Sequence, residues 1–115
     1  MEMLKELQMV KRDIEKEYSA KIAGYLLEGY SIVAAMPSVG KVYLANGNEN
    51  EMIRVNLHYY TNADGEGYVI REDKVTVSKS KTFMFDNIEC LHEIRYRAIR
   101  NEDDNIKCYE KHVIC

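Results

Sequence analysis

The chain has 115 residues, of which 46% are hydrophobic and 30% charged, and its formal net charge is −3. That length suits a single domain able to bury a core without metal or disulfide support, and the composition argues against extended disorder. The small acidic balance offers no global field for nucleic acid. With no apolar run behind a basic N-terminus and no stretch near the roughly eighteen apolar residues of a membrane span, a soluble cytoplasmic protein is expected.

Cys90, Cys108 and Cys115 make an odd set without a C-x-x-C pair, which fits a reducing compartment better than a disulfide framework. Nine tyrosines, no tryptophan and a single proline, Pro37, set the chain apart. Tyrosine is enriched at interfaces because its ring is apolar while its hydroxyl tolerates water.

From Met1 to Glu28, Leu4, Leu7, Val10, Ile14, Tyr18, Ile22 and Tyr25 step by threes and fours along one face, and Lys5, Glu6, Lys11, Arg12, Glu15 and Lys16 fill the other. The pattern predicts an amphipathic helix. As one rod it would be about 42 Å long, against a radius of gyration of about 13 Å for a compact domain of this size. Either the helix breaks, at Ser19, or residues 1–18 project and self-associate along a seam of Leu4, Leu7, Val10 and Ile14. Gly29 sits where a left-handed C-cap belongs, and the chain passes from it into an apolar strand, Tyr30 to Met36.

Pro37 to Gly40 reads as a turn, Lys41 to Ala45 as a strand and Asn46-Gly47 as a hairpin signal. From Met52 to Tyr60, Ile53, Val55, Leu57 and Tyr59 alternate with Arg54, Asn56, His58 and Tyr60, so one face is core and the other wet or functional. Asn62 to Gly67 forms a glycine-rich loop before a strand from Tyr68 to Arg71 that extends through Val75 and Val77. Lys79 to Asn87, with Phe83, Met84 and Phe85, is expected to form a short second helix. Glu89 to Arg100 alternates again, and Asn101 to Asn105 closes a hairpin onto Ile106 to Ile114. If Ile106, Cys108 and Ile114 share a face with Ile94 and Ala98, paired residue numbers sum to an even value near 206; a one-residue slip would reverse the faces. The whole is a single α+β domain: a long N-terminal amphipathic helix on an antiparallel sheet, with a short second helix before a C-terminal hairpin.

The motifs of chemistry are weak. Gly40-Lys41 lacks the first glycine of a phosphate loop, where Ala35 stands, and is followed by Val42 instead of a hydroxyl. A calcium loop aligned on Gly65 would put Tyr60 at its first ligand position and Arg71 at its bidentate one. Cys90, His92, His112 and Cys115 are zinc-ligand types, yet only the open end of the hairpin could gather them. Neither Cys90 beside His92 nor His58 forms a nucleophile motif, so no catalytic residue and no cofactor is assigned. The best binding candidate is the basic stripe Arg95, Arg97, Lys107 and Lys111 with Tyr109 interleaved, extended by Arg54 and Arg71 and joined by His58 from the polar face of its strand, which would attract an anionic ligand or nucleic acid.

Ile22-Ala23-Gly24-Tyr25-Leu26-Leu27-Glu28-Gly29-Tyr30, the strand meander and then Phe83-Met84-Phe85-Asp86 resemble small α+β proteins of bacterial phages and mobile elements, over about residues 20 to 100. That resemblance implies partner binding, including inhibition of host defence systems. The expectation is a non-enzymatic, homo-oligomeric protein acting on a protein partner through a tyrosine-rich, charged surface. The alternative is an anionic-ligand or nucleic-acid-binding domain using the basic face.

Overall fold

Residues 8–47, 50–63, 65–77 and 85–115 are described by a computed structural model of the protein. In chain order they form strand β1 (Gln8–Met9), helix α1 (Lys11–Leu27), β2 (Ser31–Met36), one 3-10 turn (Pro37–Val39), β3 (Lys41–Ala45), β4 (Glu51–Asn62), β5 (Gly65–Val77), β6 (Phe85–Arg100) and β7 (Ile106–Val113). The strands make one seven-stranded antiparallel sheet in the order β1-β7-β6-β5-β4-β3-β2. The fold is α+β, helix first and sheet after. α1 packs on one face, and no helix of the described residues covers the other, called here the open face.

The helix begins at Lys11 and not at Met1. Val10 is extended, with φ −105° and ψ 164°, and its N–H donates to the Asp13 carboxylate at 3.1 Å, which gives the helix a defined start. Gln8 and Met9 pair instead with Glu110 and Tyr109 of β7. Leu4 and Leu7 lie outside the described residues, Val10 is the 54% exposed cap, and Ile14 is buried in the protein's own core. No continuous helical seam therefore runs from residue 4 to residue 14. At 17 residues α1 is about 25 Å long, short enough for the domain, and it passes Ser19 unbroken.

The helix ends as the sequence suggests. Gly29 is left-handed. The Gly29 N–H donates to Leu26 O at 3.1 Å, and the Tyr30 N–H to Tyr25 O at 3.0 Å. This is a Schellman closure, and its usual apolar contact is the edge-on packing of Tyr25 against Tyr30. At the next corner a Cβ on Gly40 would lie 2.1 Å from Leu57 O, so only glycine fits the turn. The Gly40 carbonyl accepts from Leu57 N–H at 2.9 Å and from the Tyr18 hydroxyl at 2.8 Å, which ties α1 to the sheet.

Two expectations are revised at the other end of the chain. Of the second helix, residues 79–84 lie outside the described part, while Phe85 and Asn87 already pair with Val77 and Thr76 in β6. The hairpin is slipped by one residue: Arg95 faces His112 and Ala98 faces Tyr109, so pair numbers sum to 207. The slip is dictated by Tyr109, which at 7% exposure is worth more to the core than Cys108, and a one-residue shift exchanges the faces.

The core lies between α1 and the sheet. Ile14, Ile70, Ile94, Tyr96 and Tyr109 form one cluster, and Leu44, Ile53 and Val55 a second; Tyr18 packs against both. Tyr43, Tyr96 and Tyr109 are buried, and Tyr18, Tyr25, Tyr30 and Tyr68 pack against the two clusters. Hydroxyls among them reach polar partners: Tyr18 on Gly40 O, Tyr25 on Glu72 and Tyr96 on Glu17. This explains tyrosine where phenylalanine would suffice for apolar area alone.

Candidate functional site

The alternation of β4 sends Arg54, Asn56, His58 and Tyr60 to the open face. Cross-strand pairing sets Arg54 opposite Asp73, and Arg71 between Asn56 and Glu93. The resulting ladder of ion pairs crosses three strands. Asp73 accepts from Arg54 Nη2 at 3.0 Å and from Arg71 Nε at 2.7 Å. Glu93 then accepts from Arg71 Nη1 at 3.2 Å and from Arg95 Nε at 3.3 Å. Asp73 is 1% exposed and Glu93 8%. Such buried carboxylates are tolerable only because guanidinium groups with several donors surround them.

The ladder changes the meaning of the basic stripe. Three of its arginines meet two carboxylates, so the charge of two of them is offset internally. Arg97 lies beyond the last rung and forms no ion pair among the described residues. It lines an open cleft of about 250 Å³ with Tyr60, Asn62, Arg95, His112 and Ile114. Arg95 also lies 6.0 Å from the Tyr60 ring centre, and His112 Nε2 is 3.0 Å from Glu110. His58 borders the ladder, and its pKa is lowered below the ordinary 6.5, chiefly by burial and also by Lys41, Arg71 and Arg95, against Glu93. It therefore adds little positive charge at neutral pH. The Asn56 side-chain oxygen is buried and has no hydrogen-bond partner among the described residues.

The remaining predicted residues do not join this face. Tyr109 is on the helix side, where Lys111 binds Glu17 at 3.0 Å. Lys107 occupies the bulge between the pairs Ile99–Cys108 and Arg100–Ile106. The expected stripe is thus divided between two faces, with Arg54, His58, Arg71, Arg95 and Arg97 on one. The one-residue slip is the cause.

A bulge also separates Cys90 from His92. Their partners are Asp73 and Glu72, which belong to opposite faces. His92 lies under α1, with Nδ1 3.3 Å from both Glu72 Oε2 and Lys21 Nζ. Glu72 also accepts from Lys21 at 2.9 Å and from the Tyr25 hydroxyl at 2.8 Å. Burial opposes ionisation of Glu72, but Lys21 and Tyr25 outweigh it and hold the carboxyl below its ordinary range. The sequence reading missed this group. Its one sequence signal was the position of Glu72 in the alternation, on the same face as Ile70. Every oxygen of the carboxylate is engaged, and the cluster fastens α1 to β5. Among the described residues no three His, Cys, Asp or Glu side chains are placed to hold a metal.

The sheet's outer border is the other conspicuous feature. β2, Ser-Ile-Val-Ala-Ala-Met, pairs with β3 on one side, ends the strand order, and is exposed at all six positions. Ile32 is 49% exposed, Val33 55% and Met36 46%. Leu26 and Leu27, at the end of α1 that feeds this strand, are exposed as well, and so is Val39 just beyond it. Edge strands in monomers are ordinarily protected by charge, proline or a cover. β2 has a bulge at Val33 but no charged residue. At the opposite border the two-residue β1 pairs with Tyr109 and Glu110 of β7.

Comparison of the chain with protein-family models, with curated proteins and with solved structures found no match. No helix of the described residues is long and apolar enough to cross a membrane.

Proposed function

We propose that the protein is a non-enzymatic binding protein that works through protein–protein contact, and that a second copy of the chain adds its strand to β2. The edge of β2, apolar, uncharged and unpaired among the described residues, carries this reading. An unpaired strand edge offers a row of backbone donors and acceptors to an extended partner, with side-chain contacts giving the selectivity. The best-matched partner strand is itself uncharged and apolar, and this chain presents one. Two antiparallel copies of β2 oppose only Ser, Ile, Val, Ala and Met, so no like charges meet.

Six residues span about 20 Å, and an interface of that length falls below the roughly 1,200 Å² of a standard complex. The self-association is accordingly weak and concentration-dependent, with Leu26 and Leu27 available to extend it. A two-fold axis normal to the sheet, as antiparallel pairing requires, leaves both open faces on the same side. The two ladders then form one broad charged platform for a protein partner. Inhibition of a host defence system, the role implied by the resemblance to phage and mobile-element proteins, would be an occupation of this kind.

Sedimentation velocity over a concentration series tests the proposal. The native chain is expected to shift from monomer to dimer. Ala34→Lys, which puts like charges across the pairing, is expected to raise the dissociation constant at least tenfold with folding unchanged. A native chain that stays monomeric throughout, or a variant that dimerises equally well, contradicts it.

A further inference from the structure

Cys90 and Cys115 hold their Sγ atoms 2.7 Å apart across the open face. Both are free thiols, Cys90 partly exposed and Cys115 exposed. The backbone brings them together before any bond forms. Beyond the last paired residue of β7, Ile114 N–H donates to Glu93 O at 2.8 Å and Cys115 N–H to the same oxygen at 3.4 Å, while Glu93 N–H donates back to Cys115 O at 3.5 Å. On the other side, the bulge at Leu91 sets Cys90 opposite Asp73 and so turns it to the face that Cys115 reaches. Cys108, opposite Ile99 on β7, has no thiol beside it and serves as an internal reference.

We propose that Cys90 and Cys115 are a redox modification site, closed to an intramolecular disulfide by exchange with a low-molecular-weight disulfide of the glutathione class. The Cys115 thiolate, the more accessible sulfur, attacks one sulfur of the small disulfide. A sulfur–sulfur bond to Cys115 forms, the small disulfide breaks, and one small thiolate leaves. Cys90 then gives up its proton to solvent and displaces the second small thiolate from Cys115. Two protein thiols are oxidised, one small disulfide is reduced to two thiols, and the protons released by the cysteines are taken up by the leaving thiolates.

Burial, followed by the hydrogen bond with Cys115, pushes the Cys90 thiol up to about 11, which suits it to the second step better than to the first. Arg71 and Asp73 both act electrostatically on Cys90. The oxidation state of the pair is therefore set beside the ion-pair ladder. Closure ties the segment after β7 covalently across to β6.

The test uses the whole chain incubated with oxidised glutathione, denatured, alkylated and weighed intact, then mapped by peptides. The expected product carries an alkyl group on Cys108 alone, weighs about 2 Da less than the reduced chain bearing one such group, and yields a Cys90–Cys115 cross-linked peptide. Cys90→Ser is expected to stop at a stable glutathione adduct on Cys115. Three alkylated cysteines after oxidation, persistent adducts on the native chain, a bridge to Cys108 or a bridge between chains would each overturn the proposal.

Discussion

Replacing Asp73 with asparagine is the most revealing perturbation of the open face. Asp73 is 1% exposed and takes the Arg54 guanidinium at 3.0 Å and the Arg71 guanidinium at 2.7 Å. Asparagine preserves the shape, removes the charge and turns an amide donor towards donors. Breaking a buried ion pair by removing one partner costs about 3–5 kcal/mol, because the surviving charge stays desolvated. Arg71 is 37% exposed and keeps Glu93 at 3.2 Å, so it contributes little of that loss. Arg54, 16% exposed in its side chain, bears most of it. The lower end, about 3 kcal/mol, is the expected cost. With a urea m-value near 1.5 kcal/mol/M, the unfolding midpoint falls by about 2 M. Replacing both partners by apolar residues, Arg54→Met with Asp73→Leu, is expected to recover most of the loss, since neither charge is then buried. A loss below about 1 kcal/mol for Asp73→Asn, at unchanged m, would refute the ladder as a buried, interdependent unit.

Other consequences are as specific. Gly40→Ala places a methyl group 2.1 Å from Leu57 O at a φ of 64° and disturbs the carbonyl that holds Tyr18, for an expected loss of about 3 kcal/mol by urea unfolding. Gly24→Ala, where nothing lies within 4 Å, is expected to stabilise by about 0.5–1 kcal/mol; equal effects at the two glycines would remove the steric argument. Because the Glu72 carboxyl is held below its ordinary 4.5, folding protects the ionised form. Its contribution is complete above that value and is lost as the pH falls through the lowered folded-state value. Glu72→Gln should therefore lower stability at pH 7 and flatten its decline below about pH 4.5, as read from urea midpoints; parallel curves for native and variant would contradict the linkage.

The parts of the fold that were legible in the sequence rest on strong local patterns. Ile53 to Tyr60 alternates so strictly that both faces of β4 could be assigned, and Gly29 and Gly40 marked turns that require left-handed backbone. The helix start was obscured because Leu4, Leu7 and Val10 continue its period, while the decisive local event is a backbone-to-carboxylate cap from Val10 to Asp13. The hairpin register was harder still. Tyr109 and Cys108 are both acceptable core residues, and it is the tyrosine that joins Tyr96 and Ile14 in the core cluster. That one choice moved Tyr109 away from Arg95 and Arg97. The arginines themselves were visible as candidates, but their neutralisation was not, because Asp73 and Glu93 face them only once three strands are aligned. Strand order is likewise a tertiary property, so the apolar run Ser31 to Met36 read as an ordinary strand until its place at the border of the sheet was known.

The central claim, that β2 is where a second copy docks, is tested most directly by amide hydrogen exchange resolved along β2 at low and high protein concentration. The account predicts that alternate amides between Ile32 and Met36 become slower as concentration rises, and that Ala34→Lys abolishes the change. Exchange in β2 that is independent of concentration, or protection that grows on the open face or at β7 while β2 stays unaltered, would contradict it.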